Sequence, residues 1–296
     1  MGRILGGLVV LALVGAAVFW WVTRPVTADA SVLEGIEPDL ARGEWVFHAG
    51  GCASCHAAED AEGEARRVLS GGRAFPSEFG TFYAPNISPD DAAGIGDWSA
   101  LDLYNAMHHG VSPEGRHYYP AFPYGTYANA TPKDIVSLHA FLQTLPESDA
   151  ANRPHEVGFP FDIRRSLGGW KALFMRDGWV VEGELTEAQT RGRYIAEALG
   201  HCAECHTPRN LMGGMNRAEW LSGAANPSGD GRIPNITPAA LDWSETDLVA
   251  YFTSGFTPDF DSAGGHMADV IRNLAELPEA DRAALAAYLK AVTPVE

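Results

Sequence analysis

Cationic residues are scarce in this chain: Lys and Arg number 21 against 38 Asp and Glu, a formal charge of −17. That deficit argues against nucleic acid or an anionic membrane surface as the main partner, since both are gripped by basic patches. Alternating apolar and polar residues are also missing, so no strand is predicted. Neither a Gly-rich nucleotide loop nor a nucleophile constellation occurs, which removes the common nucleotide-dependent and hydrolytic chemistries. Cysteine is limited to four residues. What remains is an ordinary globular composition, 46% hydrophobic and 20% charged, which excludes a disordered or fibrous chain. At roughly 150 residues per domain, the 296 residues correspond to about two domains, each able to bury a core.

Charge is absent altogether from Ile4 to Val22. As a helix these 19 positions span about 28 Å, close to the thickness of a bilayer core. Trp20-Trp21 and then Arg24-Pro25 close the run, an aromatic belt at its exit. Ala28-Asp29-Ala30 resembles a small-residue cleavage site, which makes a removed signal peptide the competing reading. The apolar run, however, exceeds the usual signal core of about 7–15 residues, and Arg24 and Pro25 separate it from that site. An uncleaved transmembrane signal-anchor with a short linker is expected over residues 1–30. It would cross a bacterial inner membrane once, with everything after it in the periplasm.

All four cysteines fall in two copies of one pattern, Cys52-Ala53-Ser54-Cys55-His56 and Cys202-Ala203-Glu204-Cys205-His206. Other features recur at nearly the same offset. Arg42-Gly43-Glu44-Trp45 matches Arg191-Gly192-Arg193-Tyr194, and Pro85-Asn86-Ile87-Ser88-Pro89 matches Pro234-Asn235-Ile236-Thr237-Pro238. Two tandem domains of one type follow, over 31–146 and 186–296, joined by an unrepeated linker at 147–185. Each reads as short helices between long Gly- and Pro-rich loops, with helices expected at Leu40–Ala49, 100–109, Thr131–Leu145, Thr186–Leu199, 245–254 and Pro278–Val292. In the linker, Ile163, Leu167, Trp170 and Phe174 have helical spacing on one side, suited to strapping the domains together. Loops this long make a poor small domain unless something large fills the middle.

Cys-x-x-Cys-His is the attachment pattern of c-type haem. Two thiols one helical turn apart reach the two vinyl groups on one porphyrin edge, and the adjacent His binds the iron from below. A lone match could be a zinc or thioredoxin-like site. Two matches, each ending in His inside a domain-scale repeat, make two covalently attached haems the expected cofactors. Their thioethers would come from Cys52, Cys55, Cys202 and Cys205, with His56 and His206 as proximal ligands. In the second copy Met267 sits in a loop ahead of the closing helix and is the expected sixth ligand, a pairing that raises the reduction potential. In the first copy the corresponding loop reads Tyr118-Tyr119-Pro120-Ala121-Phe122-Pro123-Tyr124, and Phe122 cannot bind iron. The first haem is then either bis-His, with His117 in the right loop, or lacks a protein sixth ligand; both readings stay open. Met107 reads as core, and His108 and His109 as solvated surface.

Over about residues 38–293 the sequence resembles the diheme class I c-type cytochromes related to the cytochrome subunits of periplasmic alcohol and aldehyde dehydrogenases. The resemblance is carried by both Cys-x-x-Cys-His motifs, the two Pro-Asn-Ile-Ser/Thr-Pro segments, Gly94-Ile95-Gly96-Asp97-Trp98-Ser99 and Tyr119-Pro120-Ala121-Phe122-Pro123-Tyr124. It implies an all-α fold of two tandem class I cytochrome c domains behind the N-terminal helix. It also implies that Asn86 and Asn235 contact haem propionates, and that many relatives carry Met at the position of Phe122. The implied function is a membrane-anchored periplasmic electron carrier between a dehydrogenase or quinol-oxidising complex and a terminal oxidase or soluble cytochrome. An acidic surface suits a basic docking face on such partners. The alternative is a diheme enzyme of peroxidase or thiosulfate-oxidising type, using an open first haem.

Overall fold

The computed structural model describes residues 2–226, 229 and 231–296. After an apolar helix, α1 (Gly2–Val22), the first half comprises α2 (Leu40–Ala49), α3 (Cys52–His56), a hairpin of β1 (Ala74–Ser77) and β2 (Gly80–Tyr83), α4 (Ala100–His109), α5 (Tyr124–Tyr127) and α6 (Pro132–Leu142). The linker contributes α7 (Leu167–Phe174). The second half repeats the order with α8 (Glu187–Tyr194), α9 (Ala203–His206), a hairpin of β3 (Ala224–Ala225) and β4 (Arg232–Ile233), α10 (Glu245–Ser254), α11 (Gly265–Ala275) and α12 (Glu279–Ala291).

Local sequence explains most helix ends. Ser99 with Asp102, and Ser244 with Asp247, form capping boxes at α4 and α10, and Gly110 and Gly255 end those helices in the left-handed conformation. Thr131 caps α6 with Pro132 in its first turn, and Thr186 with Gln189 caps α8. Two features depart from expectation. Both hairpins were unpredicted, because strands of four and two residues are too short to display a period of two. Met267 lies not in a loop but in the first turn of α11, a separate helix ahead of the closing one.

The core of each half is a helix crossing at a glycine. α2 crosses α6 at Gly43, where a Cβ would overlap the Ser137 carbonyl oxygen; α8 crosses α12 at Gly192, against the Ala284 carbonyl oxygen. Backbones this close leave no room for a methyl group. Gly192→Ala should cost about 1–3 kcal/mol as overpacking, read as a lower unfolding midpoint in calorimetry. Gly125→Ala, with nothing near its Cβ position, is the control expected to stay within about 0.5 kcal/mol.

The halves are joined around two buried carboxylates. Asp134 pairs bidentately with Arg42, at 2.6 and 2.8 Å, and Asp281 with Arg191, at 2.7 and 3.1 Å. Each also accepts a hydrogen bond from the opposite half: Trp45 Nε1 donates to Asp281 at 2.6 Å, and the Tyr194 hydroxyl donates to Asp134. The equivalent residues of the two repeats thus exchange partners about a pseudo-twofold axis. Linker residues bond to both sides. Arg164 donates to the His117 carbonyl oxygen, while the Val180 and Val181 amides donate to the buried Glu197 carboxylate.

Candidate functional site

Both Cys-x-x-Cys-His segments form short helices, and just ahead of them the halves meet reciprocally, Gly50 against the Leu199 carbonyl oxygen and Gly200 against that of Ala49. No disulfide joins the four cysteines, so each sulfur is available for a thioether bond.

The two histidines are held identically. His56 Nδ1 lies 2.8 Å from the Pro85 carbonyl oxygen, and His206 Nδ1 lies 2.8 Å from that of Pro234. A carbonyl only accepts, so each Nδ1 carries the proton and each Nε2 bears the lone pair. Among the described residues no hydrogen-bond partner faces either Nε2. Burial lowers both imidazoles below the ordinary value, against the raising effect of the carbonyl, which favours the neutral ring. A neutral imidazole with Nδ1–H fixed on a carbonyl is the form that ligates a metal. The donor chemistry therefore fits haem at both motifs.

The loops supplying those carbonyls are built alike. Gly71 and Gly223 adopt positive φ, and their amides donate to the carbonyl oxygens of His56 and His206 at 2.8 and 2.7 Å. Asn86 and Asn235 both serve this scaffold. Asn86, only 2% exposed, donates to the Ser148 and Ala150 carbonyls at 2.7 and 3.0 Å, and accepts from the Ser88 amide. Asn235 donates to the Val295 carbonyl at 2.7 Å and accepts from the Thr237 amide. Each asparagine ties the Pro-Asn loop to the chain beyond the closing helix, holding the proline carbonyl toward its histidine. The carbonyl role of Pro85 and Pro234 escaped sequence reasoning, although their recurrence 29 and 28 residues after the histidines was a visible signal.

The far side of each site is set by register. A β-bridge pairs Val111 with His117 in the first half and Phe256 with Ser262 in the second. Counting five residues onward from each bridge brings Phe122 to the place of Met267. Met267 is partly buried against the core. Phe122 packs edge-on to Tyr118 at 5.8 Å and tilted against Tyr127 at 5.6 Å. Met107 is core, 4% exposed.

His117, also only 4% exposed, leaves neither ring nitrogen free. Its Nε2 lies 2.9 Å from the Thr23 carbonyl oxygen, and Lys171 Nζ lies 3.1 Å from its Nδ1. Burial lowers the Lys171 ammonium to about 7. These bonds join the end of α1 to α7 and take His117 out of the expected ligand set. Nor is His108 solvated: its Nε2 lies 2.7 Å from the Ala130 carbonyl oxygen, and its ring stacks on Tyr104 at 4.2 Å.

The two sites adjoin. Asn273 on α11, the helix that begins with Met267, donates to Ser54 Oγ inside the first motif at 2.6 Å. Arg73 bridges the Ser54 carbonyl and Asp269 of α11, at 2.5 and 2.8 Å. In the reciprocal contact, Thr126 of α5, just beyond Phe122, donates to Glu204 inside the second motif at 3.4 Å. Tyr127 stands edge-on to His201 at 6.0 Å.

Comparison with known proteins agrees with this geometry. The family model for cytochrome c matches residues 40–146. A diheme cytochrome c-type protein of Cereibacter sphaeroides is 55% identical over 296 residues, the full length of both chains. The fructose dehydrogenase cytochrome subunit of Gluconobacter japonicus is 36% identical over 96% of this chain and 57% of its own. The cytochrome c subunit of the quinone-dependent alcohol dehydrogenase of Gluconobacter oxydans is 32% identical over 86% of this chain and 55% of its own. The chain therefore spans just over half the length of these two dehydrogenase subunits.

Proposed function

The chain belongs to the diheme cytochromes c related to dehydrogenase cytochrome subunits, and on that premise we propose that it relays single electrons from a periplasmic dehydrogenase or quinol-oxidising complex to a terminal oxidase or soluble cytochrome. Two covalent c-type haems are its cofactors, and each supplies a one-electron ferric–ferrous couple. Cys52 and Cys55 would hold one haem and Cys202 and Cys205 the other. His56 and His206 would bind through Nε2, and Met267 would complete the second site. Among the described residues the first site would have no equivalent ligand, because Phe122 stands there and His117 is committed elsewhere.

The observation that carries the relay is the reciprocal packing of each repeat's far-side segment on the other repeat's motif. A one-electron carrier benefits from redox centres that adjoin across a rigid interface. The charge of −17 suits a partner with a basic docking face.

Retention of α1 as a single-pass inner-membrane anchor, with the haem domains in the periplasm, draws support from Thr23. This residue is 1% exposed; its hydroxyl accepts from Arg165 at 3.0 Å, and Gly168 packs against its backbone. Ala28 is tied too, its amide donating to Asn105 at 2.7 Å. Cleavage near Ala30 would remove Thr23 and strand His117 and Arg165 without their buried partner.

A potentiometric titration of the full-length holoprotein should resolve two one-electron steps, the lower one belonging to the first haem. Carbon monoxide should bind that haem alone in the reduced protein. A reduced spectrum indifferent to carbon monoxide would assign protein ligands to both irons and overturn the open first site. Steady peroxide turnover would move the reading to the diheme enzyme class, the alternative that Phe122 keeps in view.

A further inference from the structure

Resting on the anchor reading above, we infer that the linker and the loop after the second haem motif form an apolar collar that seats the haem body on the lipid bilayer. Six large apolar side chains outside α1 are exposed here: Phe159 (82%), Phe161, Ile163 and Leu173 in the linker, and Leu211 (97%) and Met212 beyond the second motif. They come from separate parts of the chain, yet a path of contacts joins the segments that carry them to the end of α1. Arg165 donates to the Trp20 carbonyl at 2.6 Å and lies 4.1 Å over the Trp20 ring. One turn into α7, Trp170 donates to the Met212 carbonyl at 2.8 Å. Phe79 of the first hairpin packs edge-on to Phe161 at 5.1 Å and lies against Gly213.

The occupant follows from continuity. α1 has no buried residue, and its last turn carries Trp20 and Trp21, both about two-thirds exposed, where an interfacial belt belongs. The exit does not swing freely. Thr23 is fixed by Arg165 and His117, and Gly168 admits no side chain between α7 and the Thr23 backbone. An eight-residue helix is about 12 Å long, so the whole of α7 lies within reach of the interface that Trp20 marks. Exposed apolar patches of this kind mark contact with protein or membrane, and this one continues the surface of a membrane helix. Seating is by insertion of these apolar side chains. Contacts contributed by Phe79, the linker and the 211–212 loop fix both haem domains in one orientation, leaving the surface away from the bilayer for redox partners.

Photo-crosslinking tests the collar in the full-length holoprotein, reconstituted in phosphatidylethanolamine vesicles. p-Benzoylphenylalanine replaces Val14, Phe159, Leu211 or, as an exposed apolar reference outside this path, Phe260 (93% exposed). After irradiation, mass spectrometry should find lipid adducts at Phe159 and Leu211 comparable to those at Val14, and none at Phe260. No adduct at Val14 removes the anchor reading and the collar with it. Adducts at Val14 without any at Phe159 and Leu211, or only protein adducts there, overturn the collar while the anchor stands. Equal lipid labelling at Phe260 overturns it as well, since insertion would not then be confined to one face.

Discussion

Phe122→Met should give the first haem the spectrum and potential of the second. Carbon monoxide binding is expected to disappear, the methionine–iron charge-transfer band to double in intensity, and the lower of the two potentials to rise. The rise should be on the order of 0.1 V, a modest share of the about 0.8 V over which axial ligands set haem potentials. The argument is one of register. Residues 111 and 117 bridge in the first half as 256 and 262 do in the second, and five residues on from each bridge stand Phe122 and Met267. Phe122 is only partly buried and touches aromatic rings that tolerate an unbranched, polarizable thioether. The converse change, Met267→Phe, should open the second haem to carbon monoxide and lower its potential. A Phe122→Met protein that binds carbon monoxide as the parent does, with an unchanged potential, would show that the two halves are not in register on the far side.

Much of this molecule was legible as a linear pattern, and the pattern stops where partners are distant. The helices around Gly43 and Gly192, the capping boxes at Ser99 and Ser244, and both haem-attachment motifs are local signals, repeated and therefore doubly visible. His117 shows the limit. Its partners Thr23 and Lys171 lie 94 and 54 residues away, and nothing local separates a histidine that meets iron from one that meets a lysine. Asn86 and Asn235 were assigned by resemblance to the cofactor, and their Asx turns and their hold on residues 148–150 and 295 could not be read from that resemblance. Helix α11 went unseen because the first repeat has only the four-residue α5 at that place, so the repeat offered no template for it. The exchange of Trp45 and Tyr194 across the axis was equally hidden. Both residues were visible as repeat positions, but which half each would bond to is a property of the assembled pair.

That exchange carries the largest expected effect on stability. Asp281 accepts from Arg191 of its own half and Trp45 of the other; its side chain is 10% exposed, and that of Asp134 only 2%. Asp281→Asn keeps the shape but leaves the Arg191 guanidinium without its counter-charge, a loss of about 3–5 kcal/mol for a broken buried pair. Asp134→Asn does the same to Arg42 and also weakens the bond from Tyr194. The two clusters are not independent, because Arg42 and Arg191 both lie over the Trp45 ring, at 3.9 and 4.2 Å. The double variant should accordingly depart from additivity by about 0.5–3 kcal/mol. Its unfolding should also split, the halves melting separately, as read by tryptophan fluorescence and haem absorbance. The pH dependence has a fixed sign. Burial alone would raise the Asp281 carboxyl, but the bonds from Arg191 and Trp45 outweigh it and hold the group below its ordinary value. Its contribution is then complete above the ordinary carboxylate range and lost as pH falls through the depressed folded value. The parent should therefore converge on Asp281→Asn only in acid. Equal midpoints for the two proteins at neutral pH would mean that the halves are held together without this pair.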